Sequence, residues 1–389
     1  MARQAADHHR EAAEHHEKAR TMPISHTATA NRRSIMGRTR RSPLSNIMSL
    51  LAHTAHQLGF FYSTIKKSAV ANPGFSNSMA VAEFRYIQSL HEKSELQNPD
   101  GLVGQFLPLL RRWRCTWLSH RKIALLRTDP FYYYLAARTR YYDKIFLDAI
   151  ADHVQFIINV GCGVDTRAYR FEPVLRQKGV KVLECDQPKA IQVKRGMANR
   201  VGNCGHVTYL SVDLNDDKWQ DFEYWLVKHN TAKALVLIEG VSPYVNTETF
   251  RGFLNFLARN LLRGSRVAYD FKLRGIADEF GRVGRTEKPF RLGGERAEIT
   301  AFHEPLGFRL KHFERSADLT VRLLANPEKP SHPLFLEDAL IQLEVTQRAN
   351  TRNPPTVGSD VGQRSRDNNR GARSAHSRVT VSVERAESD

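Results

Sequence analysis

Hydrophobic and polar positions along this chain change period several times, and each change marks an element. Residues 78–87 repeat apolar side chains at i, i+3 and i+4, the stripe of an amphipathic helix. Pro99-Asp100-Gly101 makes a turn, and residues 102–110 resume an apolar segment. Arg111, Arg112, Arg114, Arg121 and Lys122 then interleave with Trp113 and Trp117, which reads as a surface helix carrying its tryptophans on the buried face. Pro130 opens a further helical stripe that runs to Ile150 and leads directly into a strand.

From residue 156 strands and helices alternate. The β-branched run 156–160 is too short for a helix; it breaks at Gly161-Cys162-Gly163 and restarts as a helix around Asp165-Thr166-Arg167. Strands follow at 180–186, 206–210, 234–240 and 266–271, separated by helices through Lys194 and Arg195, over 219–227 and over 247–262. The run 234–240 is the most apolar of these, as expected for a strand buried on both faces of a parallel sheet. Two late segments, 308–313 and 339–345, are expected to pair at the sheet edge. The pattern therefore predicts an α/β fold, a mostly parallel Rossmann-like sheet with a C-terminal antiparallel edge and an N-terminal helical lid.

Composition divides the chain further. With 41% hydrophobic residues over 389, it can bury a large α/β core. The formal charge of +17 and the pI near 9.9 invite a nucleic-acid reading. Much of that excess, however, lies in stretches with few aliphatics: no Asp or Glu occurs from Lys18 to Ala82, while Arg32, Arg33, Arg38, Arg40 and Arg41 accumulate with Ser and Thr. Residues 1–75 are thus expected to be a basic, low-complexity and largely disordered extension, 76–150 the helical lid, 151–348 the ligand-binding domain and 349–389 a disordered tail. Within these, residues 44–61 suit a docking helix, and the Gly- and Arg-rich connection 276–295 suits a lid or a wall of a substrate pocket. Met22 and Met36 are alternative starting points. Cys115, Cys162, Cys185 and Cys204 are scattered without C-x-x-C or His spacing, which points to a reducing, cytoplasmic setting and no metal site. No run approaches the roughly 18–20 apolar residues of a membrane span, and no signal peptide is evident.

The glycine turn brings backbone N–H groups against a nucleotide-like ligand. A dinucleotide fingerprint wants a third glycine where this chain has Thr166. Asp186 ends the second strand roughly 20 residues beyond the loop, where an acid hydrogen-bonds ribose hydroxyls of NAD or of S-adenosylmethionine alike. Asp213-Leu214 after the third strand suit an adenine, with a carboxylate for its amino group and an apolar cover for its ring. Glu239 stands at the carboxyl end of the fourth strand, where it can face a ligand's ammonium; capping of the following segments is the plainer alternative for Asp213 and Glu239.

Together the segments Arg138-Thr-Arg-Tyr-Tyr-Asp143, Asn159-Val-Gly-Cys-Gly-Val-Asp-Thr-Arg167, Glu184-Cys-Asp-Gln-Pro188 and Glu239-Gly-Val-Ser-Pro-Tyr244 resemble the leucine carboxyl methyltransferase family, over roughly residues 76–348. That family also includes S-adenosylmethionine-dependent O-methyltransferases linked to polyketide biosynthesis. The resemblance implies a class I methyltransferase sheet and S-adenosyl-L-methionine as cofactor. It implies that Arg138 pairs with the cofactor's carboxylate, that Gly161 and Gly163 admit it to the backbone, and that Asp186 takes the ribose. Asp213 and Leu214 would then take the adenine and Glu239 the methionine end, with Arg85 a further basic residue near the cofactor carboxylate. Arg167 and Arg170 are candidates to orient a carboxylate acceptor, and Tyr169, Tyr244 or His303 to assist a phenol or enol. No residue is assigned to the chemical step itself. A small-molecule acceptor is favoured over a protein C-terminus. A basic nucleic-acid-binding protein or methyltransferase is the alternative, disfavoured by the lack of an N/D-P-P-Y/F motif after the fourth strand, and an NAD-dependent oxidoreductase is disfavoured by Thr166.

Overall fold

The structure, a computed structural model, describes residues 75–346 apart from 203, 217–218, 230–231, 277–288 and 325–332. The chain divides into two units between Thr54 and Ala55, and all described residues belong to the second. The expectations for residues 1–74 and 347–389, and most of the 276–295 connection, fall outside the described residues.

Eight strands build one sheet: β1 (Phe156–Val160), β2 (Lys181–Asp186), β3 (Val207–Ser211), β4 (Ala234–Ile238), β5 (Arg266–Leu273), β6 (Arg291–Leu292), β7 (Phe308–Arg315) and β8 (Asp338–Val345). Their order is β3-β2-β1-β4-β5-β8-β7, with the short β6 beside β5. The first five strands pair in parallel, and β8 runs antiparallel to both β5 and β7. This is the α/β sheet expected of the class I methyltransferase resemblance. One detail differs from the sequence reading: β8 lies inside the sheet, so β7 alone forms the edge.

Both faces are covered, and the strands show why their sequences are so apolar. Ile157, Leu235, Leu237, Ala268 and Leu340 face one core with the N-terminal helices; Ile158, Val160, Val236, Ile238, Val267 and Tyr269 face the other with the Thr247–Asn260 helix. Alternate residues of one strand thus enter different cores, and each large aliphatic buried contributes about 1.5–3 kcal/mol.

The helix Phe75–His91 and the long helix Pro130–Ala151 pack on the first face. The long helix starts where it does because Asp129 caps it, accepting from Phe131 N at 2.9 Å, with Pro130 preset at its first position. The basic segment corrects the sequence reading. In the helix Leu109–Thr116 the buried residue is Cys115, and Arg111 and Arg114 pair with Glu83 of the first helix at 3.1 and 4.0 Å. Trp113 and Trp117 lie about 200° round the helix from Cys115 and therefore face outward, 56% and 73% exposed. Helices over Arg296–His303 and Ser316–Leu324 complete the second half and have no counterpart in the sequence pattern.

Candidate functional site

The strand order reverses between β1 and β4, and at such a point the carboxyl ends of an open α/β sheet form a crevice for ligands. The glycine loop stands there. Gly161 N and Cys162 N both donate to Cys185 O, at 2.8 and 3.0 Å. Gly161 and Gly163 hold φ of +70° and +42°, and a Cβ on either would lie 2.2 Å from Val241 Cγ2 or 2.6 Å from Ser78 Oγ. Glycine is required at both by backbone conformation and by the closeness of neighbouring elements.

Asp186, ending β2, ties the loop down. Its Oδ2 accepts from Gly163 N and its Oδ1 from Gln187 N, both at 2.8 Å. Each oxygen keeps a second lone pair. Burial raises the acid's pKa, and these two N–H groups oppose it. The Gln187 side chain continues to Asp213 Oδ2 at 3.0 Å, while Asp213 Oδ1 accepts from Asn215 N. Leu214 is buried in the 3₁₀ turn beside it.

At the ends of β4 and β5 the arginines converge on acids. Arg138 Nε lies 3.1 Å from Glu239 and its Nη1 3.3 Å from Asp270, while its Nη2 bonds no described residue. Glu239 also accepts from Arg167 Nη1 at 2.8 Å, so one carboxylate bridges two guanidiniums. Arg167 further reaches Asp143 at 2.8 Å and Asp165 at 2.6 Å, and Arg170 forks onto Asp143. Asp270 receives Gly240 N at 2.7 Å and Tyr142 Oη at 3.1 Å. Three guanidiniums therefore face four carboxylates. Burial would lower the pKa of Arg138 and Arg167, but the surrounding acids raise both, so they remain charged. Burial pushes Asp270 up to about 6 despite Arg138. Asp165 goes the other way: burial opposes its charge, but Arg167 and Lys194 hold it well below the usual carboxylate range.

The N-terminal helices close on the loop. Arg85 donates to Val164 O at 2.6 Å and pairs with Asp100 at 3.1 Å. Thr166, in place of a third glycine, donates to that same Asp100 at 2.5 Å. Beneath the loop, Lys194 is fully buried between Asp165 O and Glu184.

Four sequence candidates take other places than expected. Arg167 and Arg170 are committed to carboxylates, so orienting an acceptor acid is not what their guanidiniums do here. Tyr169 donates to Glu184 at 2.8 Å and lies 2.6 Å from Tyr209 Oη, within the buried layer under the loop. His303 is wholly buried, its Nδ1 donating to Ile299 O and its Nε2 accepting from Tyr269, both at 2.6 Å. Tyr244 does sit beside Arg138, half-exposed and hydrogen-bonded to Asn77, with burial pushing its phenol up to about 12. Asp143 and Asp165 lie inside motifs quoted above without having been singled out. Asp270 ends a predicted strand as Asp186 and Glu239 do, and that position was the available signal.

No group of three or more His, Cys, Asp or Glu suited to a metal occurs among the described residues, nor is any described helix long and apolar enough to cross a membrane.

Two relatives bear the name "Putative S-adenosyl-L-methionine-dependent methyltransferase". That of Mycolicibacterium paratuberculosis is 31% identical over 135 residues, 34% of this chain and 42% of its own length. That of Saccharopolyspora erythraea is 34% identical over 143 residues, 35% of this chain and 47% of its own. The chain thus spans less than half the length of these curated relatives. Among solved structures, a DUF574 family protein from Streptomyces avermitilis superposes with a TM-score of 0.43 at 15% identity, covering 68% of this chain and 97% of that one. Magnesium protoporphyrin IX methyltransferase from Synechocystis, with SAH bound, gives 0.37 at 15% identity, covering 64% and 95%. The quoted motifs lie within the family match itself: over residues 79–258 this chain matches the leucine carboxyl methyltransferase family.

Proposed function

We propose that this chain binds S-adenosyl-L-methionine and methylates an oxygen, in the first place a carboxylate of a small, polyketide-like molecule. A hydroxyl of such a molecule and the carboxylate of a protein C-terminus are the next acceptor classes. One observation carries the reading. Asp186, fixed by Gly163 N, ends β2, and Glu239, paired with Arg138 of the long helix, follows β4; these strands flank β1, where the strand order reverses.

The donor set fits the cofactor. Asp186 retains lone pairs for two ribose hydroxyls, and Asp213 with Leu214 offers a carboxylate and an apolar surface to an adenine. Arg138 has Nη2 without a partner among the described residues, suited to a ligand carboxylate, and Glu239 is partly exposed and suited to an ammonium. The surplus of one carboxylate over guanidiniums in this cluster also favours a ligand of net positive charge.

When bound, the cofactor supplies a methyl group already activated on a sulfonium. The protein's share is alignment and exclusion of water. A carboxylate acceptor is ionised at neutral pH and needs no general base. That agrees with the residues present: His303 and Tyr169 are engaged elsewhere, and Tyr244, whose pKa burial raises to about 12, stays protonated and does not serve as a base at neutral pH.

Calorimetric titration with S-adenosylmethionine, S-adenosylhomocysteine and NAD tests the cofactor. Both adenosyl compounds should bind and Asp186→Ala should weaken them; binding of neither, or of NAD instead, overturns the reading. Labelled-methyl transfer into small acids, phenols and peptide C-termini sorts the acceptors, and a base-labile label identifies an ester.

A further inference from the structure

The basic segment after the first helix plays no part in the site above, and its outward surface is unusual. Leu109, Leu110, Trp113 and Trp117 are 80%, 71%, 56% and 73% exposed, and Leu125 of the next helix, His120–Leu126, is 62% exposed. Leu110, Trp113 and Trp117 recur at i, i+3 and i+7, so they share one helical face with Leu109 close by. Between Gly101 and Thr128 the chain has Arg111, Arg112, Arg114, Arg121, Lys122 and Arg127 but no Asp or Glu. Arg111 and Arg114 are partly neutralised by Glu83, and Arg127 by Glu92; Arg112, Arg121 and Lys122 have no acidic partner among the described residues.

We propose that this face docks on an anionic lipid bilayer surface, with the tryptophans and leucines entering the headgroup–acyl boundary and the arginines on the lipid phosphates. Exposed large apolar groups set among cations mark an interaction site, and Trp and Leu over a basic face is the pattern of a helix lying in a membrane interface. The leucines separate this partner from nucleic acid. Base stacking rewards aromatic faces, whereas exposed leucine gains nothing from a base and gains from leaving water for lipid. Charge also argues against the chain's own preceding segment as the occupant, since residues 18–82 contain no acid and carry the same sign as this face. Trp117 and Leu110 lie outside the site described above, so docking would hold an enzyme at a surface without occupying its crevice.

Cosedimentation of the full chain with vesicles tests this, using phosphatidylcholine alone and phosphatidylcholine mixed with phosphatidylglycerol. Binding to the anionic vesicles alone is expected, weakening with salt and accompanied by a blue shift of tryptophan fluorescence. Arg112→Gln with Arg121→Gln should lower the partition about 25-fold, roughly fivefold per cation. Trp117→Ala with Leu110→Ser should weaken binding and reduce the blue shift while leaving thermal unfolding unchanged. Equal binding to both vesicle types, or to neither, overturns the proposal. So does tight binding to single-stranded oligonucleotides that Trp117→Ala weakens, or self-association that the same variant removes. None of these outcomes depends on cofactor binding, so failure here is separate from failure of the methyltransferase reading.

Discussion

The hydroxyl of Thr166 donates to Asp100 at 2.5 Å, joining the helix side of the glycine loop to a turn 66 residues earlier. Asp100 in turn pairs with Arg85 and accepts from Val103 N, and it is wholly buried. The residue that replaces a third glycine is therefore the loop's tether to the N-terminal helices. Removing the hydroxyl leaves a buried carboxylate one donor short, which costs about 1–3 kcal/mol. Thr166→Val should lower the unfolding free energy measured in urea by that amount, while Thr166→Ser, which keeps the donor and gives up one buried methyl, should cost about 0.8 kcal/mol. Equal midpoints for the two variants would mean the tether carries no energy.

Gly161 and Gly163 are held by packing as well as by backbone conformation. A Cβ at Gly161 meets Val241 Cγ2 at 2.2 Å, a methyl that Val241→Ala removes. Gly161→Ala should destabilise by about 2 kcal/mol or more, and Val241→Ala in the same chain should recover part of that. The recovery is incomplete because φ of +70° stays unfavourable for alanine. A double-mutant cycle read by denaturant unfolding measures the coupling, and strictly additive effects would refute the steric account.

In the proposed site Arg138 and Glu239 serve the amino-acid end of the cofactor, and ligands that differ at that end separate the roles. Arg138→Lys keeps a cation beside Glu239 and Asp270 but loses the planar fork. S-adenosylhomocysteine should bind that variant roughly tenfold or more weakly, since a hydrogen bond to a charged group is worth about 1.5–3 kcal/mol. Methylthioadenosine, which lacks the amino-acid arm, should bind as it does to wild type. Calorimetry gives both affinities; parallel losses for the two ligands would place Arg138's effect in the fold and not at the arm.

What the sequence reveals and conceals here divides by distance along the chain. The strands are legible because Ile157 and Ile158 enter different cores, so nearly every position of β1 and β4 must be apolar. The places of Asp186 and Glu239 are legible because each follows from a strand end beside the point where the strand order reverses. The pairing of Arg138 with Asp270 spans 132 residues, and no local pattern announces it. The same holds for Tyr169, whose partner Tyr209 belongs to β3. The direction of Trp113 and Trp117 is concealed for a related reason. An eight-residue helix with both arginines and tryptophans has no self-evident inside, and Glu83, from another helix, decides it by capturing Arg111. The helices Arg296–His303 and Ser316–Leu324 span only two to three turns, too few for a periodicity to stand out.

His303 offers a pH signature independent of the site. Ile299 O can only accept, so Nδ1 carries the proton and Nε2 accepts from Tyr269; the ring is neutral in the fold. Burial pushes its pKa down from 6.5 to about 4. The unfolded chain therefore takes up a proton below pH 6.5 that the folded ring refuses until about pH 4. Stability from this residue is fully present above the higher value and is lost as pH falls between the two. From about pH 7.5 to about pH 5 the loss is about 2 kcal/mol, from roughly 1.5 pH units of differential protonation. His303→Gln removes the titrating ring, so the stability gap between wild type and variant should narrow by that amount on acidification. Urea unfolding of both proteins at the two pH values measures it. A gap that stays constant with pH would show that the buried ring titrates alike in both states.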